Sequence, residues 1–456
     1  MSKHAKLANQ FLQNEAKMMR HDQTFWAVRA KRDVMSKQMP EWEDLRELAS
    51  KIKKHTETHL ADYLEMFSNN LEKRGVKVHW AKDAKEFNEI TYSILSEHNV
   101  KMMVKSKSML TEECEMNDYL EEKGIEVVET DLGERILQLL NQKPGHIVMP
   151  AIHLTRDEVG ELFEAKGISK EIGNHDPTYL THCARLHLRD EFMRADAGMT
   201  GCNFGVADKG DVVVCTNEGN ADMSTSMPKL HLVAMGIEKL VPNYDSLAVF
   251  QRLLCRCGTG QPTTTFTSHF EKARPNGGEM HVILVDNGRS KILASKKHWQ
   301  TINCIRCGAC MNTCPVFRRT TGYSYSYFIP GPIGINLGML KDPKAHSGNV
   351  SACSLCLTCG NICPIKIDLP QQIYRWRQEL PQFGTESKEK KMMSKAMNFA
   401  FKRPSVYRTA LKFAPWLNGM PRFLIHNGLN KWGKEHEMMK FPKRSFHELW
   451  KKGEVK

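Results

Sequence analysis

The first sustained pattern in the chain is helical. Apolar residues recur at Trp42, Leu45, Leu48, Ala49 and Ile52, then at Leu60, Tyr63, Leu64, Phe67 and Leu71, close to a 3.6-residue period. Pro40 stands where a helix can open and Gly75 where a left-handed residue closes one. Beyond Gly75 the pattern changes. Short apolar segments at Val76–Trp80, Lys101–Val104, Ile125–Val128 and His146–Met149 predict strands. Between them Ala84–Glu97, Glu112–Lys123 and Arg156–Lys166 predict helices. Later strands are predicted at Val212–Thr216, Ile237–Val241 and Met280–Asp286, with Pro275-Asn276-Gly277-Gly278 as a hairpin or loop before the last. Strands alternating with helices through short linkers predict an α/β domain with a largely parallel sheet at 71–300, behind an N-terminal helical segment at 1–70.

Composition narrows the class. The chain has 456 residues, 41% hydrophobic and 26% charged, a globular balance that excludes wholesale disorder. No run of about 18 apolar residues predicts a transmembrane helix, and the first thirty residues lack the apolar stretch of a secretory signal. A cytoplasmic protein is expected, with peripheral membrane contact as a variant. The net charge of +13 belongs to one segment: Gln371–Lys456 carries 19 Lys/Arg against 7 Asp/Glu, leaving the rest nearly neutral. Tyr374, Trp376, Trp416, Phe423 and Trp432 interleave with that basic charge. The region 376–456 reads as a basic helical tail that is solvated or faces an acidic partner. An anionic membrane surface is the next alternative, and nucleic acid, for which no motif is present, comes last.

Fourteen cysteines in a cytosolic chain of this size point to metal or redox chemistry rather than a disulfide framework. Eight lie in one block. Cys304-x2-Cys307-x2-Cys310-x3-Cys314-Pro315 recurs as Cys353-x2-Cys356-x2-Cys359-x3-Cys363-Pro364. Three thiolates two residues apart let a tight loop wrap three corners of an iron–sulfur cube, and the proline turns the chain away after the fourth. In two-cluster ferredoxins the fourth thiolate serves the other cluster. By that rule Cys304, Cys307, Cys310 and Cys363 hold one [4Fe–4S] cluster, and Cys314, Cys353, Cys356 and Cys359 hold the second. Zinc is the plainer alternative, but a zinc site needs neither the third cysteine nor the Cys-Pro ending. Segments after each Cys-Pro, notably Leu369–Leu380, read as helix, so a helical ferredoxin module at 301–375 is expected. Two adjacent cubes make an electron wire.

Other chemistry is weaker. Gly198-Met199-Thr200-Gly201-Cys202-Asn203-Phe204-Gly205 and Cys257-Gly258-Thr259-Gly260 lack dinucleotide-loop spacing, so flavin or nicotinamide is expected on another subunit. Cys114, Cys183, Cys202 and Cys215 read as core or turn residues, as do the methionines in the core. Cys255-Arg256-Cys257 is a candidate redox pair without the usual CxxC geometry. Lys105-Ser106-Lys107-Ser108, Glu129-Thr130-Asp131 and Thr216-Asn217-Glu218-Gly219-Asn220 each follow a predicted strand. They either line an anion pocket at the sheet's carboxyl edge or are ordinary turn chemistry.

Taken together, the stretches VKSKSM (104–109), ETDLGE (129–134), GMTGCNFGVAD (198–208), TNEGNAD (216–222), VDNGRS (285–290), CIRCGACMNTCPVFR (304–318) and YFIPGPIG (327–334) resemble the lactate utilisation protein B family. With the second cysteine motif they span almost the whole chain. The resemblance implies a LUD domain related to the sugar-phosphate isomerase and coenzyme A transferase fold, followed by the two-cluster module. It implies an electron-transfer component of a system oxidising L-lactate to pyruvate, rather than its catalytic subunit. The implied partners are a cysteine-rich, glycolate-oxidase-like iron–sulfur protein and a LUD-only protein. In such transferases a glutamate acts as nucleophile, which draws notice to Glu218, but no matching motif surrounds it. Asp208-Lys209-Gly210-Asp211 departs from the family pattern, so a pocket there is expected to differ. The alternatives are a LUD-domain enzyme acting on an acyl or sugar-phosphate ligand with regulatory clusters, the iron–sulfur subunit of a related glycolate or glycerol-phosphate dehydrogenase, and an iron- or oxygen-sensing protein.

Overall fold

Six strands form one parallel sheet. In chain order the strands of the molecule are β1 (Lys77–Ala81), β2 (Met102–Lys105), β3 (Glu126–Glu129), β4 (Ala197–Thr200), β5 (Phe204–Val206), β6 (Asp211–Thr216), β7 (Leu230–Gly236), β8 (Leu240–Val241), β9 (Phe266–Phe270) and β10 (Glu279–Val285). The parallel sheet has the order β1-β10-β7-β4-β2-β3, and a smaller mixed sheet has the order β8-β5-β6-β9. The computed structural model describes residues 2–275, 277–386, 388–425 and 439–455. These form two units, one ending at Phe383 and the other beginning at Gly384. Asn276 and Trp432 lie outside the described residues.

Strand β7 shows why the sheet is buried on both faces. All seven of its residues are buried. Leu232 and Ala234 pack with Phe87, Ile94, Met103 and Leu120, while Val233 and Met235 pack with Phe67, Leu71, Val282 and Leu284. Each such aliphatic side chain contributes about 1.5–3 kcal/mol on burial. A strand apolar on both faces has no alternation to read.

Three sequence expectations are corrected. Ile237–Val241 is not one strand: Ile237–Lys239 is a single 3-10 turn, and only Leu240–Val241 pairs, beside β5. Glu112–Lys123 divides into helices Met109–Glu113 and Met116–Glu122, because Glu115 adopts a left-handed conformation (φ 51°). His146–Met149 forms no strand. The His146 imidazole Nδ1 accepts the backbone N–H groups of Val148 (3.1 Å) and Met149 (3.0 Å), which curls the segment instead of extending it.

The N-terminal helices Lys3–Leu12, Glu15–Lys37, Trp42–Thr58 and Leu60–Glu72 do more than precede the α/β domain. Glu15–Lys37 packs against helices Ala309–Thr313 and Pro315–Thr320 of the cysteine block. Trp376, on helix Leu369–Glu379, is buried and stacks on His298 with ring centroids 3.8 Å apart. In the second unit, helices Lys388–Phe401 and Pro404–Phe413 contain no buried residue, and Trp416 and Phe423 are exposed. Among the described residues no helix is long and apolar enough to cross a membrane.

Candidate functional site

The two cysteine motifs fold alike. The residue two positions after the first cysteine is left-handed in each (Arg306, φ 60°; Leu355, φ 54°). So is the residue following the second cysteine (Gly308, φ 80°; Leu357, φ 67°). Such backbone turns three thiols inward from a short loop. Peptide N–H groups then point at sulfur: Arg306 and Leu355 donate to Cys304 Sγ (3.4 Å) and Cys353 Sγ (3.3 Å). Phe317 and Ile367 donate to Cys314 Sγ (3.5 Å) and Cys363 Sγ (3.4 Å). N–H groups aimed at sulfur are among the features that set an iron–sulfur potential.

The helices Ala309–Thr313 and Thr358–Ile362 pack together, so each motif's last cysteine approaches the other motif. Cys307 stands within electrostatic reach of Cys363 and Cys304, and Cys363 of Cys304. Cys314 stands within reach of Cys353 and Cys356, and Cys359 of all three. Cys310 faces Cys304 and Cys363 and also Cys359. The donors are all thiols, the ligand type that iron–sulfur clusters take. Arg46, from the N-terminal helix Trp42–Thr58, clamps this centre by donating to the Cys363 carbonyl (3.1 and 2.8 Å) and the Asn361 carbonyl (2.7 Å).

The groups differ in access. Cys310 and Cys363 are buried, whereas Cys356 is exposed, as is the next residue Leu357 (56%), which shares a surface pocket with Tyr374 (46% exposed). Cys255 and Cys257 lie two apart on helix Tyr244–Gly258, an interval at which side chains do not face each other, and both are free thiols. Cys257 is fully buried, which pushes its thiol up to about 12, and it stands beside Cys307. Cys114 and Cys183 are core residues, while Cys202 and Cys215 line a cavity.

That cavity, of about 610 Å³, lies at the carboxyl edge of the parallel sheet and ends against Arg306 and Cys307. Lys107, Ser108, Asp131, Glu218 and Asn220 line it, so the polar turns meet in a pocket. Lys105 does not join them. It is buried and turned inward, with Nζ 2.7 Å from Glu129 and 3.4 Å from Glu112. Asp208–Asp211 forms the turn from β5 into β6 and lies outside the cavity lining. The curled segment at His146 supplies a wall through Ile147, Val148 and Met149. Because His146 Nδ1 accepts two N–H groups, Nε2 carries the proton and donates to Asn312 Oδ1 (3.0 Å), between Cys310 and Cys314. Burial lowers His146 to about 3, so this joint between pocket and cysteine block stays neutral.

Arg289 is the pocket's fixed charge. Its Nε donates to Glu238 (2.6 Å) and its Nη2 to Glu113 (2.9 Å). Lys239 and Arg306 have no such partner: among the described residues neither side chain makes a hydrogen bond or ion pair, and Arg306 Nη1 is buried. At the opposite end Glu218 opens to the cavity yet is ringed by protein. Desolvation and the neighbouring Asp131 push its carboxyl up to about 7, although it accepts the Leu132 N–H (3.2 Å). A carboxyl raised in the folded state adds stability that is complete below its ordinary range and lost as pH rises through 7. Glu218→Gln, which keeps the N–H acceptor, is therefore expected to match the parent below about pH 4 and exceed it at pH 8. Screening through the cavity mouth limits the gain to about 1 kcal/mol. Denaturation midpoints across that range provide the check.

Sequence reasoning missed the two unpaired cations. Lys239 sits in a 3-10 turn read as strand, and Arg306 looked like a spacer between cysteines.

Comparison with known families places a LUD domain at residues 64–285, a 4Fe-4S dicluster domain at 300–367 and a "Lactate utilisation protein B, C-terminal" domain at 380–455. Lactate utilization protein B of Shouchella clausii is 40% identical over 389 residues, covering 84% of this chain and 81% of that protein. The Escherichia coli K12 protein named "Uncharacterized electron transport protein YkgF" is 35% identical over 437 residues, covering 93% and 91%. A crystal structure of a DUF162 family protein from Deinococcus radiodurans covers 50% of this chain and 98% of its own, at 12% identity. Its TM-score of 0.28 is too low to argue from.

Proposed function

The chain belongs to the lactate utilisation protein B family, and from that premise we propose that it is the iron–sulfur electron-transfer component of an L-lactate oxidation system. Cys304, Cys307, Cys310 and Cys363 would hold one [4Fe–4S] cluster, and Cys314, Cys353, Cys356 and Cys359 the other. Such clusters supply one-electron chemistry at tuned potentials. The protein's own part is to fix the sulfurs, aim N–H groups at them and keep water from the buried group.

The observation that carries this reading is the convergence of two like-folded thiol groups, one walled in beside the cavity and one reaching the surface at Cys356. That asymmetry suits a wire with an inner and an outer terminal. The apolar neighbours Leu357 and Tyr374 suit the outer terminal to docking a redox partner. The partners would be a cysteine-rich, glycolate-oxidase-like iron–sulfur protein and a LUD-only protein. The second unit's helices leave their apolar faces exposed among basic residues, which suits attachment to an acidic partner surface.

The test is optical. The protein, purified without oxygen, is mixed with L-lactate and extract from cells lacking it, and the iron–sulfur absorption is followed. Bleaching that needs both lactate and extract is the expected result. Clusters that dithionite reduces but lactate with extract does not would reject lactate as the electron source.

A further inference from the structure

The cavity's chemistry is divided. Glu218, Asp131 and Lys107 act on one another at one end, while Lys239, Glu238, Arg306 and Cys304 do so at the other. Glu113 and Glu238 bond Arg289 directly, and Glu238 also acts through space on Lys239 and Arg306, so three cations at this end meet two carboxylates and neither Lys239 nor Arg306 is bonded by one. The remaining positive charge, with the buried Arg306 Nη1 unbonded, is costly unless an anion answers it. Between the ends the wall is apolar, with Ile136, Ile147, Leu254 and Ile329. Asn220, 6% exposed and also on the lining, has a buried carboxamide oxygen with no hydrogen-bond partner. A volume of about 610 Å³ lies within the usual range for a small organic ligand.

We propose that this cavity binds a small organic anion, a carboxylate or a phosphate ester, with its charged group on Lys239 and Arg306 against the Cys304–Cys307 loop. The inference rests on the reading that Cys304, Cys307, Cys310 and Cys363 hold a cluster. It adds a consequence. An anion placed beside that cluster disfavours the extra negative charge of reduction, and by linkage reduction weakens the anion's binding by the same factor. Tenfold weaker binding to the reduced protein corresponds to a fall of about 59 mV in the cluster's midpoint potential.

Isothermal calorimetry on the anaerobically purified full chain, with pyruvate, L-lactate and inorganic phosphate titrated separately, tests the site and distinguishes carboxylate from phosphate. Iron content is measured on the same samples, and the first cluster's potential is followed by EPR with and without the tightest anion. Binding by at least one anion is expected, weakened tenfold or more in both Lys239→Met and Arg306→Met, unchanged in the exposed control Lys344→Met, and lowering the potential only where it binds. The proposal is overturned if no anion binds, or if both variants bind as the parent does. It is also overturned if the two substitutions shift the potential while the parent binds nothing, because the cations then serve only the cluster's own charge. A preparation without iron would reject the cluster assignment alone, and the calorimetry would still decide the cavity.

Discussion

Replacing Cys363 together with Cys304 is expected to leave one cluster intact, whereas replacing Cys363 together with Cys353 is expected to destroy both. The difference follows from which motif each fourth thiol approaches. Cys363 ends the second motif in sequence but faces Cys304 and Cys307 of the first. Cys314 ends the first motif but faces Cys353 and Cys356. If each motif held its own cluster, the outcomes would exchange: the pair Cys363 and Cys353 would remove one cluster, and Cys363 and Cys304 would remove two. The parent should carry about eight iron atoms, as two cubes require. Iron and acid-labile sulfide per chain should then fall to about half in Cys304→Ser/Cys363→Ser and to near zero in Cys353→Ser/Cys363→Ser. Cys314→Ser/Cys353→Ser supplies the reciprocal case, again with about half the iron. A preparation in which zinc fills the thiols and iron is absent would defeat the assignment outright. Single substitutions are less informative, because each removes a ligand from one cluster under either pairing and the iron count then does not tell the two pairings apart.

The cysteine motifs were legible because their ligand spacing is a local property, and the folded chain repeats the same left-handed turns after Cys304 and Cys353. The parallel α/β sheet was legible for a related reason: helix Ala84–Glu97 keeps a helical apolar period, and short apolar strands alternate with helices along the chain. The central strand was not. Leu230–Gly236 is apolar on both faces, so its pattern carries no period and the prediction settled on the neighbouring Ile237–Val241. His146–Met149 failed for the opposite reason. Its apolar residues read as strand, but one imidazole accepts two backbone N–H groups and bends the segment into a cavity wall. The contact between His146 and Asn312, which joins that wall to the cysteine block, spans 166 residues of sequence and has no local signal. The same holds for Arg46, whose role at the Cys363 carbonyl emerges only when the N-terminal helices wrap the cysteine block.

Arg289→Met is expected to be the most damaging single change outside the cysteines. The segment Val285–Ser290 exists to place this side chain. Asn287 and Gly288 are left-handed (φ 40° and 86°), the Asp286 carboxylate accepts from the Ser290 N–H and hydroxyl (both 2.7 Å), and Asn287 donates to Glu113 (2.7 Å). Arg289 itself is 5% exposed and bonds both Glu113 and Glu238. Even Gly236 serves the pair, since a Cβ there would stand 2.2 Å from the Glu238 carboxylate and 2.7 Å from Arg289 Nε. Burial alone would raise Glu238, but Arg289 chiefly, with Lys239, holds it down at about 2. Removing the guanidinium strands two buried carboxylates, a loss of about 3–5 kcal/mol by comparison with other broken buried pairs. The check is the denaturation midpoint together with iron retention. Arg289→Met should lower both, and adding Glu113→Gln and Glu238→Gln should recover a large part of the loss, because the uncompensated charge has gone with its partner. If the triple variant is no more stable than Arg289→Met alone, the damage lies in lost packing or geometry and the electrostatic account is wrong. Recovery would show that the charged triad holds the cavity floor in place at a net cost that neutral side chains avoid, which is the behaviour expected where buried ion pairs serve arrangement more than stability.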